Sequence, residues 1–222
     1  MLPYSFVPDL LNEDLTAQQQ AILTHPLWQA VQAGEATPAQ LRRFALQDDW
    51  LVRHSKQLEA LLVAHAPDED ARRELLKKWE PKAVFSGEGS LRHFGAALGL
   101  TEQDFAEAEP LPGCAALTMN FYYALERGGF LPFLASVSAS ESIFIALCDL
   151  AGPSLREKYG FTPEQVAFFP LHDGLKAGVN TGEAALLRRL CRTPEDRERV
   201  TQAVKLTYEC ERLFYDTVYA AP

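Results

Sequence analysis

Residues 37–65 read TPAQLRRFALQDDWLVRHSKQLEALLVAH, and this stretch decides the fold class. Thr37 can cap a helix, Pro38 takes the first helical position where its missing N–H costs nothing, and Gln40 follows at the third. Leu41, Phe44, Ala45, Leu51, Val52, Leu58, Leu61 and Leu62 then recur at the spacing of one helix face. The pattern predicts a long helix over about 38–65. Asp48 stands inside its apolar stripe, among Phe44, Ala45, Leu51 and Val52, where a solvated carboxylate does not belong.

The same start grammar returns at Thr162-Pro163-Glu164-Gln165 and Thr193-Pro194-Glu195-Asp196. Gly34, Gly99, Gly128-Gly129 and Gly160 fall where helical patterns stop, as C-terminal caps do. Between these marks, helices are predicted over 15–33 with a break at His25-Pro26, then 68–78, 88–98, 101–108, 113–127, 130–151, 163–176, 181–191 and 194–219. Alternating Val/Ile/Thr runs and Asn-Gly hairpin turns are missing. With no internal repeat, low-complexity stretch or dividing linker, residues 1–222 are expected to form one all-α domain.

Composition narrows the function. The chain has 222 residues, 47% of them hydrophobic, enough for a real core. A formal net charge of -9 repels phosphate backbones, so nucleic acid is not an expected partner. The opening MLPYSFVPDLLNEDL has neither a basic n-region nor an apolar h-region, and no apolar stretch reaches the ~20 residues of a membrane span. A cytoplasmic location without membrane attachment is the expectation. Cys114, Cys148, Cys191 and Cys210 lack CxxC spacing and read as reduced core thiols.

Candidate site residues are ionisable groups on apolar helix faces. Glu141 has Val137, Phe144 and Ile145 beside it, His172 has Phe168, Phe169 and Leu175, and Glu211 has Tyr208, Phe214 and Tyr215. His93 lies on a small-residue face with Glu88 five residues before it. A buried carboxylate must be protonated, paired or bound to a cation. Two Glu and two His on three helices are the ligand types of an iron or manganese site in a bundle, though each alone also reads as a core polar residue. His54 and His65 read as surface residues, and His25 as a helix-junction residue. GxSxG, Walker, GxGxxG and HExxH motifs are absent.

The motif order carries a family resemblance. Thr24-His25-Pro26-Leu27-Trp28, then Thr37-Pro38-Ala39-Gln40-Leu41 and Phe44-Ala45-Leu46-Gln47-Asp48, resemble the opening of the TenA and PqqC proteins. Gly128-Gly129-Phe130 through Ala139-Ser140-Glu141 resembles the TenA stretch before its Pro-Cys-Glu motif. Glu211-Arg212-Leu213-Phe214-Tyr215 is similar to the Glu-x-x-Phe-Trp ending of TenA thiaminases. The resemblance implies a heme-oxygenase-like helical bundle with a central buried pocket. It also implies that Asp48 and Glu211 hold an aminopyrimidine and move protons, with Ser140, Phe144 and Tyr215 against the substrate. Ser140 stands at the family's nucleophilic cysteine and Leu117 at its active-site tyrosine; a serine is the poorer nucleophile, and the sequence places no evident base beside it.

A second branch, similar to CADD-like iron-dependent oxidases, is suggested by Glu88, His93, Glu141 and Phe168-Phe169-Pro170-Leu171-His172. Lys176 and Val179 replace that branch's later Asp and His, so the likeness implies one iron or manganese held by Glu88, His93, Glu141 and His172, or a metal-free pocket of the PqqC kind. The leading expectation is thus an O2-using oxidoreductase acting on a small molecule, with Glu141, Asp48 and Glu211 as its acid/base and orienting groups. The alternatives are a TenA-type hydrolase of thiamin salvage and a non-catalytic ligand-binding member of the fold. A homodimer or homotetramer is compatible with the family.

Overall fold

The structure, a computed structural model, describes residues 13–77, 87–171 and 182–220. Its helices are α1 Glu13–Leu23, α2 Pro26–Ala33, α3 Pro38–Ala64, α4 Glu69–Leu76, α5 Gly87–Ala97, α6 Glu102–Glu107, α7 Pro112–Tyr123, α8 Phe130–Tyr159, α9 Phe168–Leu171, α10 Ala184–Leu190 and α11 Pro194–Ala220. No strand occurs among the described residues. The all-α prediction holds.

Local chemistry sets the boundaries. The α3 start is the capping box expected: the Gln40 N–H donates to Thr37 Oγ1 and the Thr37 N–H to Gln40 Oε1. His25 makes the junction between α1 and α2 by accepting the Leu27 N–H on Nδ1, at 3.1 Å. Thr193 and Asp196 bond reciprocally at the head of α11. Thr162 and Gln165 make the same exchange, yet residues 163–167 form turns, and α9 is short with Pro170 inside it. The predicted 163–176 helix is therefore cut down at its start, and residues 172–176 lie outside the described ones.

Two further corrections have clear causes. The helix predicted over 130–151 continues through Pro153 to Tyr159. Proline removes a bond to the carbonyl four residues back, but Asp149 and Pro153 are both exposed, so water can serve that carbonyl. The helix predicted over 113–127 ends as α7 at Tyr123 and continues as a π-helical turn, Ala124–Gly128. Gly129, with φ of 77°, then redirects the chain into α8.

Helix α8 is the spine, packed against α11, α2, α9, α1, α10 and α7. By length and composition it could cross a membrane, but 67% of its most apolar window is buried within the fold, as befits the central helix of a bundle. Helices α7 and α11 pack most extensively, and Gly113 shows why. A Cβ there would come within 2.3 Å of the Leu213 carbonyl oxygen, so only glycine permits the approach. That approach sets the position of α11, and with it Glu211. On the other flank, Trp28 meets Phe44 and Tyr215 edge-on at 5.2 Å, fixing the Tyr215 ring.

Candidate active site

A cavity of about 210 Å³ opens between α3, α7, α8 and α11 and is flanked by α4 and the residue preceding α10. Helix α3 supplies its longest wall: Asp48, Leu51, Val52, Ser55, Leu58, Glu59, Leu62 and Val63 recur on one face, with His54 at its edge. Opposite stand Leu117, Thr118 and Phe121 of α7, Val137, Ser140, Glu141 and Phe144 of α8, and Glu211 of α11; Leu75 and Glu183 close the α4 side. Five lining residues are carboxylic acids, and among the described residues no Lys or Arg lines the cavity.

The chemistry concentrates at Asp48 and Glu211. Asp48 is buried, and its Oδ2 has no hydrogen-bond partner. Burial, then the neighbouring Glu211 and Asp49 charges, push its carboxyl well above the usual range, which favours its protonated form. Glu211, also buried, accepts the Ser140 hydroxyl on Oε2 at 2.6 Å and the Tyr215 hydroxyl on Oε1 at 2.8 Å. Burial raises Glu211 to about 7, with the two hydroxyl donors pulling back. Burial and the Glu211 charge hold the Tyr215 phenol well above its ordinary value, so it stays a donor. An acid titrating near 7 can take or give a proton at neutral pH.

The sequence expectations divide. Asp48, Glu211, Ser140, Glu141 and Phe144 all line the cavity, and Tyr215 stands behind Glu211 as its hydrogen-bond donor. Leu117 lines it too. His93 does not: it is exposed on α5, whose buried apolar side chains include Leu91 and Phe94. Its small-residue neighbours mark a solvent-facing side, not a buried contact. The side chain of Glu88 and all of His172, Lys176 and Val179 lie outside the described residues. Of the expected metal quartet, then, Glu141 lines the cavity and the exposed His93 does not. Among the described residues, no three His, Cys, Asp or Glu side chains form a metal-holding group.

Three findings correct or extend the sequence reading. Ser140 has a base beside it after all, Glu211, seventy-one positions away along the chain. His54 is half-buried and lines the cavity instead of lying free on the surface; its Nδ1 bonds the Trp50 carbonyl at 2.8 Å and its ring stacks on Trp50. Glu183, not singled out in the sequence, is buried and accepts the Ser138 hydroxyl. Ser55 and Glu59 did carry a signal, since they fall at turns of the helix face that begins with Asp48. Glu183 carried none, because an acid at the start of a helix is ordinary. The cysteines form no disulfide, and burial pushes the Cys114 thiol up to about 12, so it is no thiolate nucleophile.

An acid-lined cavity within a bundle of this topology defines a heme-oxygenase-like domain. The chain superposes with a TM-score of 0.79 on a domain of unknown function with that fold from Shewanella denitrificans, at 19% identity, covering 93% of this chain and 89% of the other. A TenA homolog from Pseudomonas syringae gives 0.82 at 15% identity, covering 96% and 92%, and a CADD-like protein from Nostoc punctiforme gives 0.70 at 15%, covering 92% and 95%. More particularly, residues 13–168 match the TENA/THI-4/PQQC family, and the chain belongs to that family. In sequence it is similar to a 4-aminobenzoate synthase of Nitrosomonas europaea, 24% identical over 93% of this chain and 89% of that protein.

Proposed function

We propose that this chain is a TenA-type enzyme that binds a small, cationic, amine-bearing nitrogen heterocycle in the central cavity and hydrolyses a C–N bond. The observation that supports it is the pair of buried acids, Asp48 and Glu211, in a cavity with no Lys or Arg along its described lining. Two buried carboxyl groups, both raised by burial and one also by the other's charge, are balanced when a cation enters. A cation beside Asp48 lowers that carboxyl's proton affinity so that its proton leaves to solvent, and it eases ionisation of Glu211 in the same way. Glu211 then takes a proton from water as that water forms a C–O bond at the carbon bearing the leaving nitrogen. The C–N bond breaks, and Glu211 returns the proton to the departing amine. Ser140 and Tyr215 hold the carboxylate in place through both oxygens.

The metal-bound form of the oxidase expectation needs four ligands converging, and the exposure of His93 counts against that set. The Nitrosomonas relative is named for making 4-aminobenzoate. An aryl amine suits the same acids, whereas a ligand's carboxylate would meet no lysine or arginine among the described lining residues.

The test is calorimetric titration of the full chain with 4-aminopyrimidine. The expected result is binding in the wild type and a loss of roughly tenfold or more in Asp48→Asn, whose amide cannot balance a cation. Equal affinity in the two proteins would remove Asp48 from the site.

A further inference from the structure

We propose that the cavity has a second binding position, for an uncharged hydrogen-bond donor: a hydroxyl on a short arm of the heterocycle, donated to His54 Nε2 with Ser55 Oγ beside it. The inference rests on the amine-binding reading above and names what the substrate carries beyond its cationic ring.

The lining offers many acceptors and few donors. Among the described residues, no Lys, Arg, Asn, Gln, Tyr or Trp lines the cavity. The hydroxyl protons along it are directed back into the fold. Ser55 Oγ donates to the Val52 carbonyl at 2.8 Å, Thr118 Oγ1 to the Cys114 carbonyl at 2.9 Å, and Ser140 Oγ to Glu211 at 2.6 Å. Each of these oxygens keeps lone pairs. His54 Nδ1 lies 2.8 Å from the Trp50 carbonyl, which can only accept, so Nδ1 carries the proton and Nε2 of the neutral ring is an acceptor. With Nδ1 against the backbone of α3 and one ring face stacked on Trp50 at 4.8 Å, the outer edge left to the cavity is the one that bears Nε2. Glu59, Glu141 and Glu183 interact within the fold, and the position is built without them.

These acceptors follow Asp48 along the wall. Helices α3 and α7 run side by side in the same direction, since Cys114 Sγ meets the Gln47 carbonyl at 3.4 Å and the Tyr122 hydroxyl meets Gln57 Oε1 at 3.1 Å. Thr118, midway between them, is level with Val52. Measured along α3 from Asp48, Thr118 stands at about 6 Å, His54 at about 9 Å and Ser55 at about 10.5 Å. A single ring at Asp48 covers the first turn of that wall, and a short arm reaches the second. There a hydroxyl finds acceptors for its proton. A phosphate or carboxylate would set acceptor against acceptor and bring negative charge among acids.

The experiment titrates the full chain calorimetrically with 4-aminopyrimidinium ions alkylated at N1, by methyl alone or by a three-carbon arm ending in a hydroxyl, a methyl ether or a phosphate. The hydroxyl arm is expected to bind roughly fivefold or more tighter than the ether, which accepts but cannot donate. The phosphate arm should bind roughly tenfold or more weaker than the hydroxyl. In His54→Phe, which keeps a ring on Trp50 but has no nitrogen, the hydroxyl-to-ether ratio should fall to about twofold or less. His54→Ala should lower it likewise and guards against a misfit of the larger ring. Equal binding of hydroxyl and ether, a phosphate arm as tight as the hydroxyl, or a ratio that both substitutions leave intact overturns the inference. If the methyl ion binds through Asp48 while the end of the arm makes no difference, the donor position is refuted and the amine-binding reading stands. If none of the four ions binds, both fall together.

Discussion

Asp48 and Asp49 are neighbours on α3 and both buried, yet they point about 100° apart around the helix and meet opposite environments. Asp49 meets Arg53 Nε at 2.9 Å, one turn on in α3, and Arg92 Nε of α5 at 3.2 Å; Arg92 in turn reaches Glu102. Asp48 points into the cavity, beside Glu211, with no Lys or Arg among the described lining residues. The first carboxylate is balanced inside the fold and ties helices together. The second is left for something the chain does not contain. The contrast teaches that burial of an acid does not by itself mark a site; burial without a countercation does.

The largest expected effect breaks the balanced side. Asp49→Ala should cost about 3 kcal/mol of stability, because it strands two arginines that remain partly solvated, and a urea melt reads it directly. A loss below about 1 kcal/mol would mean that the pairing contributes little more than an exposed one.

A comparable effect, seen only through pH, comes from the cavity side. The folded protein holds Glu211's proton up to about pH 7, whereas the unfolded chain releases it near 4.5. Stability contributed by this group therefore falls as pH rises between those values and levels off above 7. Glu211→Gln should flatten that slope and be the more stable protein at pH 8 by up to about 3 kcal/mol. Parallel melts at pH 5 and pH 8 check it; an unchanged slope would show that Glu211 titrates as an ordinary carboxyl.

The smallest effect sharpens the site itself. Ser140→Ala removes the 2.6 Å hydroxyl donor that stabilises the charged form of Glu211. The midpoint for amine binding against pH should move upward by about one unit. A static midpoint would assign Ser140 to packing alone.

Much of this was legible in the sequence, for reasons tied to period. Helix α3 announced itself through its capping box and its apolar stripe, and Asp48 stood out because it broke that stripe. Glu211 stood out likewise, among aromatic residues. What stayed hidden depended on distance along the chain. The Ser140–Glu211 bond joins residues that no local pattern connects, so the missing base appeared only when α8 and α11 came together. His93 misled for the opposite reason: small neighbours suggested a close helix contact, and the fold turned that face to solvent. The helix expected over 130–151 runs on through Pro153 for another two turns, to the Gly160 that the sequence did mark as a stop.

The central claim is that Asp48 and Glu211 hold protons until a cation replaces them. Calorimetry of binding of N1-methyl-4-aminopyrimidinium, whose charge does not depend on taking up a proton, at pH 6.5, repeated in buffers of different ionisation enthalpy, tests it most directly. The account predicts net proton release on binding in the wild type, reduced in Asp48→Asn. Binding with no proton release, or with proton uptake by the protein, would contradict it.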